Sequence, residues 1–237
     1  KTYYIMAQNK KTNVENPQEL ENFENAVLSS EAFIEKYQKQ LMIAFVVIIT
    51  LIAGWLVYKN LVQEPANQEA EALIVEGQLY FAANQYQMAL DGDSINYIGF
   101  VAIADEYGST PSGKLANAYA GISYYKLGDY DNAIAYLSNY SGDDAIVGYS
   151  ILGTIGDSYV QKGETESALS YFEKAAKSDN VMVATTYLLK LARAYESLNQ
   201  NDKALATYQT IKTQYKDVLP GIADVDDVDK FINALSK

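Results

Sequence analysis

Four alanines, Ala89, Ala133, Ala168 and Ala204, mark steps of 44, 35 and 36 residues along the chain. The same company surrounds each. Gly77, Tyr80 and Tyr86 lead to Ala89, and Gly121, Tyr124, Gly128 and Tyr130 lead to Ala133. Gly156, Tyr159 and Gly163 lead to Ala168, with Phe172 and Ala175 after it. Leu191, Ala192 and Tyr195 lead to Ala204, with Tyr208 after it. A sequence that repeats itself at such intervals folds as stacked copies of one small unit, each burying its apolar face on the next. Within a copy the apolar residues fall three and four apart, so the unit is helical. A small residue at Gly121 or Gly156 lets two helices approach closely. The tyrosine three residues on lies on the same face and fills the gap beside it. Gly128 and Gly163 then stop the first helix of their copies. The 21 tyrosines are thereby assigned mostly to packing.

This order of small residue, aromatic, alanine and aromatic resembles the tetratricopeptide repeat, a helix-turn-helix unit of about 34 residues. The resemblance implies an all-α tetratricopeptide-repeat solenoid of about four units over residues 69–218. The first unit is irregular. Asp91-Gly92-Asp93-Ser94 breaks its second helix, which resumes over about Tyr97–Tyr107, so the long first step is an insertion in that helix or a split of it. Tyr107–Gly113 reads as a loop before the second unit. Leu219-Pro220-Gly221 ends the last unit, and residues 219–237 supply a capping helix over Val225–Leu235.

A second feature precedes the repeats. From Gln40 to Tyr58 there is no charged residue. A helix of that length spans roughly 26–29 Å, close to the thickness of a bilayer's hydrocarbon core. Lys36 and Lys39 flank one end and Lys59 the other, with Tyr37, Trp55 and Tyr58 at interfacial positions. Residues 40–58 therefore read as one transmembrane signal-anchor helix, and residues 59–68 as a linker. Five lysines precede the span (Lys1, Lys10, Lys11, Lys36, Lys39), while the twenty residues after it hold only Lys59. That bias predicts a cytoplasmic N-terminus and a repeat domain outside the cytoplasm, so the expected location is a bacterial inner membrane with the repeats in the periplasm. Met6-Ala-Gln-Asn-Lys-Lys11 reads as a natural start, with residues 1–5 an upstream extension. Within the cytoplasmic segment 1–39, Asn16-Pro17-Gln18-Glu19 signals a helix start. Leu20, Phe23, Val27, Ile34 and Tyr37 then give that helix an apolar face, with Glu21, Glu24, Glu31 and Glu35 interspersed. It serves either as a docking helix or as a plain lead-in to the span.

Composition removes most chemistry. The chain has no Cys and no His, which excludes thiol catalysis, disulfide scaffolds and the commonest general base and metal ligand. Eighteen basic against 30 acidic residues give a net charge of −12, the wrong sign for nucleic acid. No phosphate-binding glycine loop is present. The acids at Asp224, Asp226, Asp227 and Asp229 fail a calcium-loop template and read as helix-start acids. Asp91, Asp93, Asp143 and Asp144 read as loop or cap residues. No cofactor, metal or catalytic residue is expected.

What remains is a binding surface. The repeat resemblance places one face of each first helix on the concave side. That assigns Ile74, Gln78 and Phe81 in the first unit, and Ala118, Ile122, Tyr125 and Lys126 in the second. The third unit contributes Gly153, Asp157, Val160 and Gln161, and the fourth Leu189, Arg193 and Glu196. This mixed lining suits an extended or helical peptide more than a small polar metabolite. The overall layout, with Phe100–Gly121 as its most family-like stretch, resembles the YfgM-type ancillary subunits of the SecYEG translocon. That resemblance implies a non-enzymatic periplasmic adaptor beside the translocon, working with a membrane-anchored chaperone. A scaffold for envelope or outer-membrane assembly is the alternative.

Overall fold

The computed structural model describes residues 17–93, 95–142, 144–215 and 227–236, with side chains from Lys36 onward, that of Ala145 excepted. The chain divides into two compact units, residues 1–59 and 60–237. The described residues are helical and contain no strand: an all-α succession of helix pairs that follows, in the chain, one helix long enough to cross a membrane.

The first unit holds helix α1 (Pro17–Tyr58, 42 residues). Its Pro17 stands where the sequence predicts a helix start, while Asn16 lies outside the described residues. Side chains from Gln38 to Lys59 are all exposed. A core helix of a water-soluble domain would bury such a run, so the exposure fits a span covered by lipid. Lys59 lies over the Trp55 ring at 5.5 Å, and Lys36 over Tyr37 at 5.3 Å. Such pairs suit the two bilayer interfaces.

The residues read as a linker are helical. Lys59–Gln63 form a π-helical turn, and α2 (Glu64–Ala82) follows. Pro65 has no N–H to give and its ring crowds the carbonyl four residues back, at Leu61. The widened π turn ahead of it accommodates that demand at the start of α2.

Helices α2 and α3 (Tyr86–Asp91) with α4 (Phe100–Tyr107) form the first repeat. The second pairs α5 (Pro111–Leu127) with α6 (Tyr130–Asn139). The third pairs α7 (Ala145–Gln161) with α8 (Thr165–Ala175), and the fourth α9 (Val181–Ser197) with α10 (Asn201–Gln214). One turn geometry joins every pair. Asn84, Gly128, Gly163 and Asn199 have φ of 58°, 83°, 78° and 57°, the left-handed region that glycine and asparagine tolerate. Each stands five residues before an anchor alanine. The next N–H closes the turn on a tyrosine carbonyl: Gln85 to Tyr80, Asp129 to Tyr124, Glu164 to Tyr159 and Gln200 to Tyr195, at 2.9–3.0 Å. Two of the helix-stopping residues are thus asparagines.

The close approach of paired helices is equally regular. A Cβ on Gly121 would lie 2.5 Å from the Leu137 side chain, and one on Gly156 would lie 2.6 Å from the Phe172 ring. In the first repeat Phe100 and the Tyr97 hydroxyl fill this place over Gly77, because the second helix breaks after Asp91 and resumes at Phe100 with its register displaced. Asp93 holds that interruption, accepting from the N–H groups of Ile95, Asn96 and Tyr97 at 2.9–3.0 Å. Tyr80 donates to the same carboxylate at 3.0 Å. These donors hold the Asp93 carboxyl well below the usual carboxylate range. Tyr97 turns inward and donates to the Ala89 carbonyl at 2.7 Å.

The loop expected over Tyr107–Gly113 is shorter than its sequence implied. Thr110 caps α5 by accepting from the Gly113 N–H at 3.0 Å, and Pro111 opens the helix. Asp129, Asp144 and Asn180 cap α6, α7 and α9 in the same way. At the far end α11 (Val228–Leu235) packs on α10, with Val228 fully buried and Phe231 against Tyr208 at 5.1 Å. The breaker Leu219-Pro220-Gly221 and the acids Asp224 and Asp226 lie outside the described residues, as do Ser94 and Asp143.

Candidate functional site

The first helices of the repeats, α2, α5, α7 and α9, present the residues assigned to the concave face, and the structure sorts these into three groups. The earliest assigned position of each helix is buried: Ile74 is 3% exposed, Ala118 4% and Leu189 6%. Ile74 is therefore core and not groove surface, which corrects its assignment. The reason is that this position faces the neighbouring first helix. A Cβ on Gly153 would sit 1.8 Å from the Tyr187 ring of α9.

A second group is occupied internally. Phe81 packs edge-on against Tyr86 and Tyr119, at 5.4 and 5.1 Å. Tyr125 meets Tyr130 at 5.8 Å. Glu196 accepts from the Tyr208 hydroxyl at 2.5 Å. All three are half-buried and brace the second helix of their own repeat, so Glu196 is a structural acceptor as well as a groove residue. Burial, with that hydrogen bond, pushes the Tyr208 hydroxyl far above its ordinary range. Gln78 and Ile122 are half-buried too. Gln78 donates to the Tyr119 hydroxyl at 3.1 Å, and Ile122 packs on the cluster around Leu137 and Ile151.

The third group remains open to solvent: Lys126, Val160, Gln161 and Arg193. Two of these assigned residues, Val160 and Arg193, meet Asp157 around a cleft of about 210 Å³ between α7, α8 and α9. Phe172, Val160 and Ala194 supply apolar walls, and Ser197 and Thr165 also line the space. Across it Lys190 reaches Asp157 at 2.5 Å and lies over the Tyr187 ring at 5.5 Å. Sequence reading missed Lys190. The signal was available: Gln78 with Tyr119 and Asp157 with Lys190 are the same pairing between successive repeats, one polar, one charged. The cleft thus combines an apolar floor, one neutralised acid–base pair and one further guanidinium. That chemistry suits an apolar side chain on a peptide whose polar or acidic backbone neighbours meet the rim. Among the described residues no cluster of three or more acids could hold a metal ion.

A larger cleft, about 530 Å³, opens on the side of the second helices between α6, α7 and α8. Leu137, Ile151 and Ile155 floor it, and Tyr140, Tyr149 and Tyr171 rim it. The sequence pattern did not single it out, because it falls at an inter-repeat junction rather than on the assigned face.

Stacked helix pairs with a common left-handed turn, a small residue under each aromatic and an open groove define a helical-repeat scaffold. Residues 154–217 match a family model described as tetratricopeptide repeat, and residues 119–141 match a second model of the same description. The chain carries tetratricopeptide repeats, which are protein-interaction scaffolds. The matched residues run from the middle of α7 through α10 and from the middle of α5 through α6, and stop short of the interrupted first repeat. No curated protein matches the chain.

Proposed function

We propose that the protein is a non-enzymatic, membrane-anchored adaptor that holds protein partners at the translocon exit together with a membrane-anchored periplasmic chaperone. The observation that carries this reading is the pairing of one lipid-type helix with a repeat unit whose cleft joins an apolar floor to a charged rim. Anchoring confines the repeats near the bilayer and raises their effective concentration for membrane-bound partners. The lysine asymmetry around the span supports a periplasmic repeat unit in a bacterial inner membrane. The resemblance of the layout to YfgM-type subunits supports SecYEG as the neighbour.

The test is a mild-detergent purification of the tagged full-length protein after crosslinking in cells, read by mass spectrometry. Enrichment of translocon subunits and a membrane-anchored chaperone is the expected result. Enrichment of outer-membrane assembly proteins without the translocon would overturn it in favour of an envelope scaffold.

A further inference from the structure

The solenoid is closed at one end and open at the other. At the C-terminal end α11 covers α10. At the N-terminal end nothing among the described residues covers the outward face of α2, and comparison with the later repeats shows what that face is for. Counting back from each left-handed turn residue, Leu79 corresponds to Ser123, Ser158 and Ala194. Leu79 is 68% exposed, whereas those three are 0%, 0% and 6% exposed. Ala72 is exposed, whereas its counterparts Ala116, Ile151 and Tyr187 are buried. In α5, α7 and α9 this face packs on the second helix of the preceding repeat, as Tyr119 does on Phe100 (ring centroids 4.9 Å apart) and Tyr187 on Phe172 (6.4 Å). Helix α2 has the stacking face, and among the described residues no second helix of an earlier repeat packs on it. Val75, 55% exposed, extends it. A terminal repeat that serves only as a cap has a polar outer face, whereas this one exposes Ala72, Val75 and Leu79 beside Glu76.

Charge defines the occupant. Glu76 stands on this face where the later repeats bury Ala120, Ile155 and Leu191. A helix laid over α2 would bury the Glu76 carboxylate, which is costly without a cation. Glu64, Glu69 and Glu71 lie on the same helix, and residues 60–113 hold eight acids and no Lys or Arg. Pairing two copies of this face would set glutamates against glutamates, and an anionic lipid surface would meet the same repulsion.

We infer that the outer face of α2 docks a basic amphipathic helix of a partner protein, which takes the place of a preceding second helix and brings a Lys or Arg to Glu76. This surface is distinct from the groove between α7 and α9, so the inference goes beyond the adaptor reading. The test places a photo-crosslinking benzoylphenylalanine at Leu79 of the full-length protein in its native membrane, and sequences the crosslinked peptide. The expected product is a peptide of a second protein, net positive, with apolar residues three and four apart. Glu76→Lys is expected to cut its yield at least fivefold, and Glu76→Ala, which installs the residue the second repeat tolerates, by less. Crosslinking from Val160 in the groove, measured in parallel, controls for folding and reports the adaptor reading separately. A product within a second copy of this chain, a lipid adduct, no product, an acidic peptide, or a yield unmoved by Glu76→Lys would each overturn the inference.

Discussion

Phe172→Ala probes the stacking that holds the groove in place. The side chain is 2% exposed, lies over Gly156, stacks on Tyr187 of the next repeat and forms one wall of the cleft. Removing a buried phenylalanine ring costs about 3–5 kcal/mol. Collapse around the void is limited, because Gly156 and Ala168 already bring backbone to its edge and have no side chain to move in. In a solenoid each unit is stabilised by its own packing and that of its neighbours, so the loss should stay local. At about 1.4 kcal/mol per tenfold in an equilibrium constant, amide exchange in α8 and α9 should accelerate by about 10² to 4 × 10³. Exchange in α4 and α5 should change by less than about tenfold. Hydrogen exchange with mass spectrometry on the full-length protein in detergent reads both regions at once. An acceleration below tenfold in α8 and α9, or an equal one in both regions, would refute the stacking argument.

Three further outcomes follow from the same contacts. Gly128→Ala and Gly163→Ala force a Cβ into left-handed backbone at a cost of roughly 1–2 kcal/mol each, whereas Asn199→Gly at φ 57° should cost less than about 0.5 kcal/mol; thermal unfolding by circular dichroism compares them. Burial, aided by a hydrogen bond to Glu173, pushes Tyr195 up to about 12, and burial with Glu196 pushes Tyr208 higher still. A raised folded value means stability fully present below about pH 10, the ordinary tyrosine value, and lost as pH rises through 12. Tyrosinate absorbance should therefore show a late-titrating set whose ionisation coincides with loss of helix, and a single wave at pH 10 with helix intact would contradict this. Ile48→Arg with Ile52→Arg adds roughly 5–7 kcal/mol to insertion at the centre of the span, so the protein should move from the membrane to the alkaline-carbonate supernatant.

The repeat fold was legible because its determinants are short-range and periodic. A small residue under an aromatic, an alanine at a fixed distance and a turn residue between them are all visible as spacing. Two of the four turns escaped notice because Asn84 and Asn199 do the work of glycine there. The groove was less legible. Spacing places a residue on a helix face, but whether it reaches solvent depends on the neighbouring repeat. Thus Ile74 is sealed by packing between first helices, and Glu196 is taken up by a tyrosine twelve residues on. Lys190 went unseen because its partner Asp157 lies 33 residues away, one repeat back. The π turn at Lys59–Gln63 depends on how the backbone yields ahead of Pro65, which residue identity alone does not encode.

The central claim, that the groove between α7 and α9 holds the partner, is tested most directly by co-purification with and without that surface. Val160→Asp with Ser197→Glu places charge on the cleft lining at two exposed positions and leaves the core untouched. In the full-length protein, at equal expression and unchanged helical signal, the account predicts at least a tenfold loss of co-purifying partner. Undiminished recovery would contradict it and move partner binding off the groove.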